Sequence, residues 1–285
     1  MFLLKLPLVM GFLIAILTIV AFTAILFLIV HGFFRGKRPK TTRTFAQQMA
    51  LRIGTLHALI IALVFGVIAS QYMDLEKSLD IEAATIGSLY TALNRIQTDD
   101  TAKVRNQLML YLEDVMNKEW KHITQSPLSK STGQILFEIL RNIQNLQTSQ
   151  PYEEKIKNYA MDMVLKINEL RIRRLYGWYR EEIPTIFWVI AVSGFILTLV
   201  PYLTVELTKF RFLLINCYSC MIGITFYGLI LLNNPFMSGL VAPTPYEMMH
   251  KELKAGFLPE SARELSSYDT LLDNDRLVKA IRFKG

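Results

Sequence analysis

Residues 6–30 form a run of 25 positions without one charged side chain. Coiled as a helix at about 1.5 Å per residue, such a run more than crosses a hydrocarbon core of about 30 Å. A cleaved leader would have an apolar stretch of about 7–15 residues ending at a small-x-small site. This run is longer and has no such end, so it predicts a retained helix. Residues 53–73, 183–205 and 212–232 are further apolar runs of spanning length. Pro184 falls in the first turn of the third, where a missing N–H costs nothing. Backbone groups in lipid can be satisfied only by helices or closed barrels. The pattern therefore predicts an all-α, polytopic helical membrane protein with four transmembrane helices.

Composition agrees with that reading. The chain is 52% hydrophobic and 19% charged, below the roughly 25% charge of an average soluble domain, which argues against disorder as well. Two cysteines in 285 residues exclude a disulfide framework. The net charge of +7 is spread along the chain and reads as topology-setting charge, with no nucleic-acid partner. Residues 31–52 carry Arg35, Lys37, Arg38, Lys40, Arg43 and Arg52 and no acid. By the positive-inside rule this loop points to the cytoplasm, with the termini and the large region between spans two and three on the other side, where Lys166, Arg171, Arg173, Arg174 and Arg180 form an opposing basic flank before span three.

The sequence divides into a transmembrane hairpin (1–73), an extramembrane four-helix bundle (74–182), a second hairpin (183–232) and a turn-rich tail with short helices (233–285). The bundle region has 15 Lys and Arg against 16 Asp and Glu. Leu75, Leu79, Ile86, Leu89, Leu93 and Ile96 recur at helical spacing, so the second span runs on into the bundle. Thr98-Asp99-Asp100 breaks that helix and caps the next. Ser126-Pro127 ends the second bundle helix, and Pro151 opens the fourth with Glu153 and Glu154 in its first turn. Short connections make the four helices an antiparallel bundle. In the tail, Tyr246 to Lys254 reads as a short helix and Leu271 to Ile281 as a last amphipathic stretch.

Chemistry-bearing motifs are scarce. Cys217 and Cys220 form a lone CxxC inside the fourth span, without a second ligand pair. His31, His57, His122 and His250 share no metal-ligand spacing. Nothing nominates catalytic residues, a metal or a cofactor, and the chain is read as a non-enzyme.

Three features stand out. Gly54, Ala58, Ala62, Gly66 and Ser70 repeat every four residues along span two. Small residues at that spacing allow close helix packing, or leave room along a narrow pathway. His57, Ser70, Gln71, Asn216 and Thr225 are polar at membrane depth, where such groups face a protein interior or water. Glu82 falls on the apolar stripe between Leu79 and Ile86. It is a candidate structural acid, either buried against an arginine before span three or solvated at the stripe's edge.

The string from Leu51 to Phe65 around His57, Glu82-Ala83-Ala84-Thr85-Ile86 with Tyr90, Glu119-Trp120, and Asn234-Pro235-Phe236 followed by Pro245 resemble the bacterial bestrophin-like membrane family over residues 1–254. The resemblance implies four spans with a helical insert between spans two and three, in the bacterial inner membrane. It also implies distant similarity to bestrophins, which are pentameric anion channels with span two lining the pore and the large domain in the cytoplasm. The last point runs against the loop charges.

Two functions follow as expectations. One is a homo-oligomeric ion channel, by analogy a pentamer, in the lipid bilayer. It would pass chloride or another small anion, with His57, Phe65, Ser70 and Gln71 lining the pathway and Gly54, Ala58, Ala62 and Gly66 packing helices. The alternative is a membrane sensor or assembly scaffold whose bundle binds a ligand or partner protein.

Overall fold

The computed structural model describes residues 7–33, 40–124, 130–180, 185–203 and 208–256. Among them all regular structure is helical: α1 (Leu8–Phe33), α2 (Lys40–Asn94), α3 (Asp99–Asp114), a π turn (Val115–Glu119), α4 (Trp120–His122), α5 (Lys130–Gln144), α6 (Pro151–Arg180), α7 (Thr185–Leu203), α8 (Lys209–Asn233) and α9 (Thr244–Lys254). The helices group into two compact units, Met1–Asp74 with Glu181–Val241, and Leu75–Arg180 with Ala242–Gly285.

In the first unit, three stretches are long and apolar enough to cross a membrane: Leu8–Ile29, Phe212–Asn233 and the apolar part of α2, which begins at Leu51. The helix α7 has 19 residues, with a described apolar portion at Thr185–Leu197. Residues 183, 184, 204 and 205 of the expected third span lie outside the described residues. The helices α1 and α8 run antiparallel and pack through missing side chains. A Cβ on Gly223 would come within 3.1 Å of the Ile16 Cα, and a Cβ on Gly11 would sit inside the Tyr227 phenol. The Tyr227 ring also meets Phe12 edge to face at 4.6 Å. A buried hydrogen bond of 2.9 Å from the Ser219 hydroxyl to Thr23 Oγ1 satisfies two polar groups where lipid could not. After α8, the chain turns at Gly239, whose φ of +71° suits a residue without a Cβ. The turn places the Leu240 carbonyl 3.5 Å from the Tyr72 hydroxyl.

The second unit is a helical bundle with Leu79, Ile86, Leu89, Leu93, Val104, Leu108, Leu112, Ile139, Ile143, Val164 and Ile167 buried in its core. Its local signals are those expected from the sequence. Thr98 is the N-cap of α3 in a reciprocal capping box with Thr101. Glu153 accepts from the Ser149 and Gln150 amides at the start of α6, where the helix dipole favours an acid. The π turn that follows α3 is not visible in the apolar spacing. The residues of 271–281 lie outside the described residues.

Candidate functional site

Two places carry the candidate residues: a closed ionic cluster in the bundle, and the membrane stretch of α2.

The cluster begins with Glu82. Its neighbours on α2, Leu79 and Ile86, are core residues, so the helix delivers a carboxylate into an apolar interior, where an unpaired charge would be prohibitive. Glu82 and Arg174 are both fully buried, Glu119 and Arg171 nearly so. Arg174 donates through Nε to Glu82 Oε2 at 3.1 Å and through Nη2 to Glu82 Oε1 at 3.2 Å and Glu119 Oε1 at 2.7 Å. Arg171 donates through Nε and Nη2 to Glu119 Oε2 at 2.9 and 2.6 Å. Two phenols complete the set: Tyr111 donates to Glu82 Oε1 at 3.1 Å and Tyr246 to Glu82 Oε2 at 2.7 Å. The Arg174 guanidinium also stacks over Trp120 at 5.9 Å and Tyr246 at 5.4 Å, contacts that suit its planar, weakly hydrated ion.

Two anions and two cations cancel, and every carboxylate oxygen has a donor. Charge balance and paired carboxylates are most of what buried charge requires, while Arg174 Nη1 stays buried with no hydrogen-bond partner. Burial first, then the negative charge of Glu82, pushes the Tyr111 hydroxyl well above its ordinary pKa. Tyr246 is raised by burial against the opposing pull of Arg174. Burial acts to lower Arg174, but the charge of Glu82, with Tyr246 and Glu119, outweighs it and holds the guanidinium ionised. The cluster ties α2, α3, the π turn, α6 and α9 together and exposes no group to a substrate.

Nearby contacts are of the same kind. Asp114 accepts from Ser131 and Thr132 at the start of α5 and pairs with Lys118. Burial would raise its carboxyl, but these hydrogen bonds hold it below the usual range. At the rim, His250 Nε2 lies 3.1 Å from Glu113 Oε1, with Lys254 3.6 Å from the same oxygen. Among the described residues no three His, Cys, Asp or Glu side chains are grouped to hold a metal.

Along α2, His57, Ile61, Val64 and Ile68 make the covered face; His57 is only 5% exposed. Its Nε2 lies 2.9 Å from the Ala191 carbonyl oxygen. A carbonyl only accepts, so Nε2 carries the proton there. The imidazole occupies the space a side chain on Gly194 would need. Ala58, Ala62, Gly66 and Ser70 are exposed, as is Phe65 at 41%; Gly54 and Gln71 are half-buried. Residues four apart drift about 40° around a helix axis, so this small-residue stripe winds away from the covered face. By the same geometry His57 and Ser70 stand about 140° apart. The chain thus groups Phe65, Ala62, Gly66 and Ser70 on its uncovered side and turns His57 inward.

Sequence reasoning set Glu82 against an arginine before span three, or at a solvated edge, without saying which arginine, and named neither Glu119 nor the two phenols as its company. The signal was present: Arg171 and Arg174 share the apolar stripe of α6 with Ile167, Leu170 and Leu175. A cation on one core stripe and an acid on another are complementary. Tyr246 carried no signal, since a tyrosine on a short helix is unremarkable.

No curated protein matches the chain. Among solved structures, a mutant form of a bacterial bestrophin homologue from Klebsiella pneumoniae is similar, with a TM-score of 0.58 and 12% identity. The alignment covers 85% of this chain and 98% of that one; identity so low speaks to the fold alone. The family model for the Bestrophin-like domain matches residues 17–242, a stretch that holds α2, the four charges of the cluster and the Asn234-Pro235-Phe236 turn, and the chain belongs to the Bestrophin-like family.

Proposed function

We propose that this chain is a subunit of a homo-oligomeric, anion-conducting channel, five copies by analogy with pentameric bestrophins, with α2 lining the shared path. Family and fold suggest an ion channel. The observation that carries the finer reading is the contrast between its glycines. Positions Gly11, Gly194 and Gly223 are each filled by a neighbouring group of the same chain, whereas nothing lies within 4 Å of a Cβ on Gly66, Gly32 or Gly228, and of these three only Gly66 belongs to a stripe of small residues, with Ala58, Ala62 and Ser70. A small-residue face left uncovered by its own chain is a surface for other copies or for a narrow path. Phe65 is then an apolar constriction, and Ser70 and Gln71 a polar ring repeated by symmetry. Residues 40–73 of α2 contain Lys40, Arg43 and Arg52 and no carboxylate. Cation pathways use Asp or Glu rings, so this supports anions. His57 serves instead to hold α2 on α7.

The full proposal includes four spans in an inner membrane, an extramembrane bundle, and residues 31–52 on the cytoplasmic side. Purified protein in liposomes should pass chloride and nitrate above empty vesicles and pass potassium poorly. Gly66→Trp should reduce flux at least tenfold without loss of folded protein, because the chain itself has room there. Absence of flux across several pH values and anions, or unchanged flux in Gly66→Trp, would defeat the reading. A partner protein captured by the bundle with no flux would favour the sensor or scaffold instead.

A further inference from the structure

The ionic cluster of the bundle is one hydrogen bond short at two neighbouring places. Three of its four carboxylate oxygens receive two protons each: Glu82 Oε1 from Tyr111 and Arg174, Glu82 Oε2 from Arg174 and Tyr246, and Glu119 Oε2 twice from Arg171. Glu119 Oε1 receives a single proton, from Arg174 Nη2 at 2.7 Å. A carboxylate oxygen can accept more than one, so this one has a lone pair to spare. Arg174 shows the opposite deficit. Its side chain is fully buried, yet Nη1 has no acceptor. A buried donor without a partner gives up its hydration for nothing in return. Among the described residues, Arg105 Nε and Asn216 Oδ1 are also without a partner, but both belong to partly exposed residues.

The two deficits of the cluster lie side by side. Nη1 and Nη2 hang on one carbon of a planar fork. Since Nη2 is 2.7 Å from Glu119 Oε1, Nη1 is within about 5 Å of the same oxygen. No direct bond joins them, and the gap is one that a single small molecule closes with two bonds of ordinary length. Charge decides which molecule. Two carboxylates and two guanidiniums already cancel, so an anion at Nη1 would add an unbalanced negative charge beside Glu119. A cation would face Arg174, and an apolar group would leave both atoms short. The occupant must be neutral, accept one proton and donate another.

We propose that the bundle holds one structural water between Arg174 Nη1 and Glu119 Oε1, accepting from the guanidinium and donating to the carboxylate. With it, every carboxylate oxygen of the cluster has two donors and every nitrogen of Arg174 has an acceptor. Buried waters that complete otherwise unsatisfied polar groups are integral to a fold and costly to remove. The site lies wholly within the bundle unit and is independent of the use α2 makes of its membrane stretch.

The test is a crystal structure of the full chain, grown with sodium bromide in place of chloride and at a resolution that shows ordered waters. One density peak should stand about 2.7–3.2 Å from Arg174 Nη1 and about 2.5–3.0 Å from Glu119 Oε1, with no anomalous bromine signal. A bromine signal there would make this an anion site and overturn the proposal. So would Nη1 bonded directly to a protein acceptor, or no peak beside well-defined Arg174 and Glu119 side chains. A second readout needs no crystal. In detergent-solubilised protein isotope-labelled only at arginine nitrogen, the Arg174 Nη protons should show a magnetisation-transfer peak to water, assigned by its loss in Arg174→Lys. A resolved Arg174 signal without that peak would refute the water.

Discussion

Replacing Arg174 by methionine removes the cation on which the cluster turns while nearly keeping its volume, so the cost is electrostatic. Arg174 supplies two of the four hydrogen bonds to Glu82 and one of three to Glu119. Glu119 keeps Arg171. Glu82 keeps two phenols and no cation, in a fully buried site. Breaking a buried pair on one side costs about 3–5 kcal/mol, against a total stability of about 5–15 kcal/mol. Glu82→Gln is unfavourable for the mirror-image reason, because it leaves an excess positive charge. Together the two changes leave Glu119 with Arg171, a neutral pair, and a carboxamide on α2 whose oxygen still accepts from a phenol. The double variant should therefore cost about 1–3 kcal/mol, giving a coupling of about 3 kcal/mol or more. Urea unfolding of the detergent-solubilised chain, followed by tryptophan fluorescence, reads these values, since Trp120 stacks on Arg174. An Arg174→Met midpoint within about 1 kcal/mol of the parent, or strictly additive costs, would refute the reasoning.

Other expectations follow from the same geometry. Tyr111 and Tyr246 have raised folded pKa values, so their contribution is intact below the unfolded value of about 10 and is lost as pH rises above it; urea midpoints should hold from pH 7 to 9 and fall between 10 and 11, and Tyr246→Phe should blunt the fall. Gly223→Ala pushes against the Ile16 backbone and should destabilise the α1–α8 pair by about 1–3 kcal/mol, whereas Gly66→Ala should leave thermal unfolding of detergent-separated single chains unchanged. Thr98→Ala removes the capping box of α3 and should cost about 1 kcal/mol by urea unfolding.

Much of this architecture is written in local rules. The charge-free runs of α1 and α8, the break at Thr98 and the start of α6 at Pro151 each follow from a few adjacent residues, and the helices appear where those residues put them. What periodicity lacks is the identity of the neighbour. It places Glu82 on a core face, but Arg174 lies 92 positions further on. His57 is polar at membrane depth and compatible with a pathway; its inward turn depends on a missing side chain at Gly194, 137 positions away in α7. The small-residue stripe shows the converse. Gly54, Ala58, Ala62 and Gly66 read the same whether a neighbour fills the space or not, and only the packed chain separates Gly66 from Gly11 and Gly223. The π turn at Val115–Glu119 left no mark because it adds one residue without altering the kinds of residue around it.

The cancellation of charge between Glu82, Glu119, Arg171 and Arg174 reaches beyond their own stability. Opposite ions within about 3 Å of each other project almost no field past a Debye length of about 8–10 Å. Such an assembly neither attracts nor repels an ion beyond that distance, and dissolved electrolyte has nothing there to screen. The strongest electrostatic bonds in the bundle are thus nearly indifferent to ionic strength, and salt acts instead on exposed acids and bases such as Lys166 and Glu169.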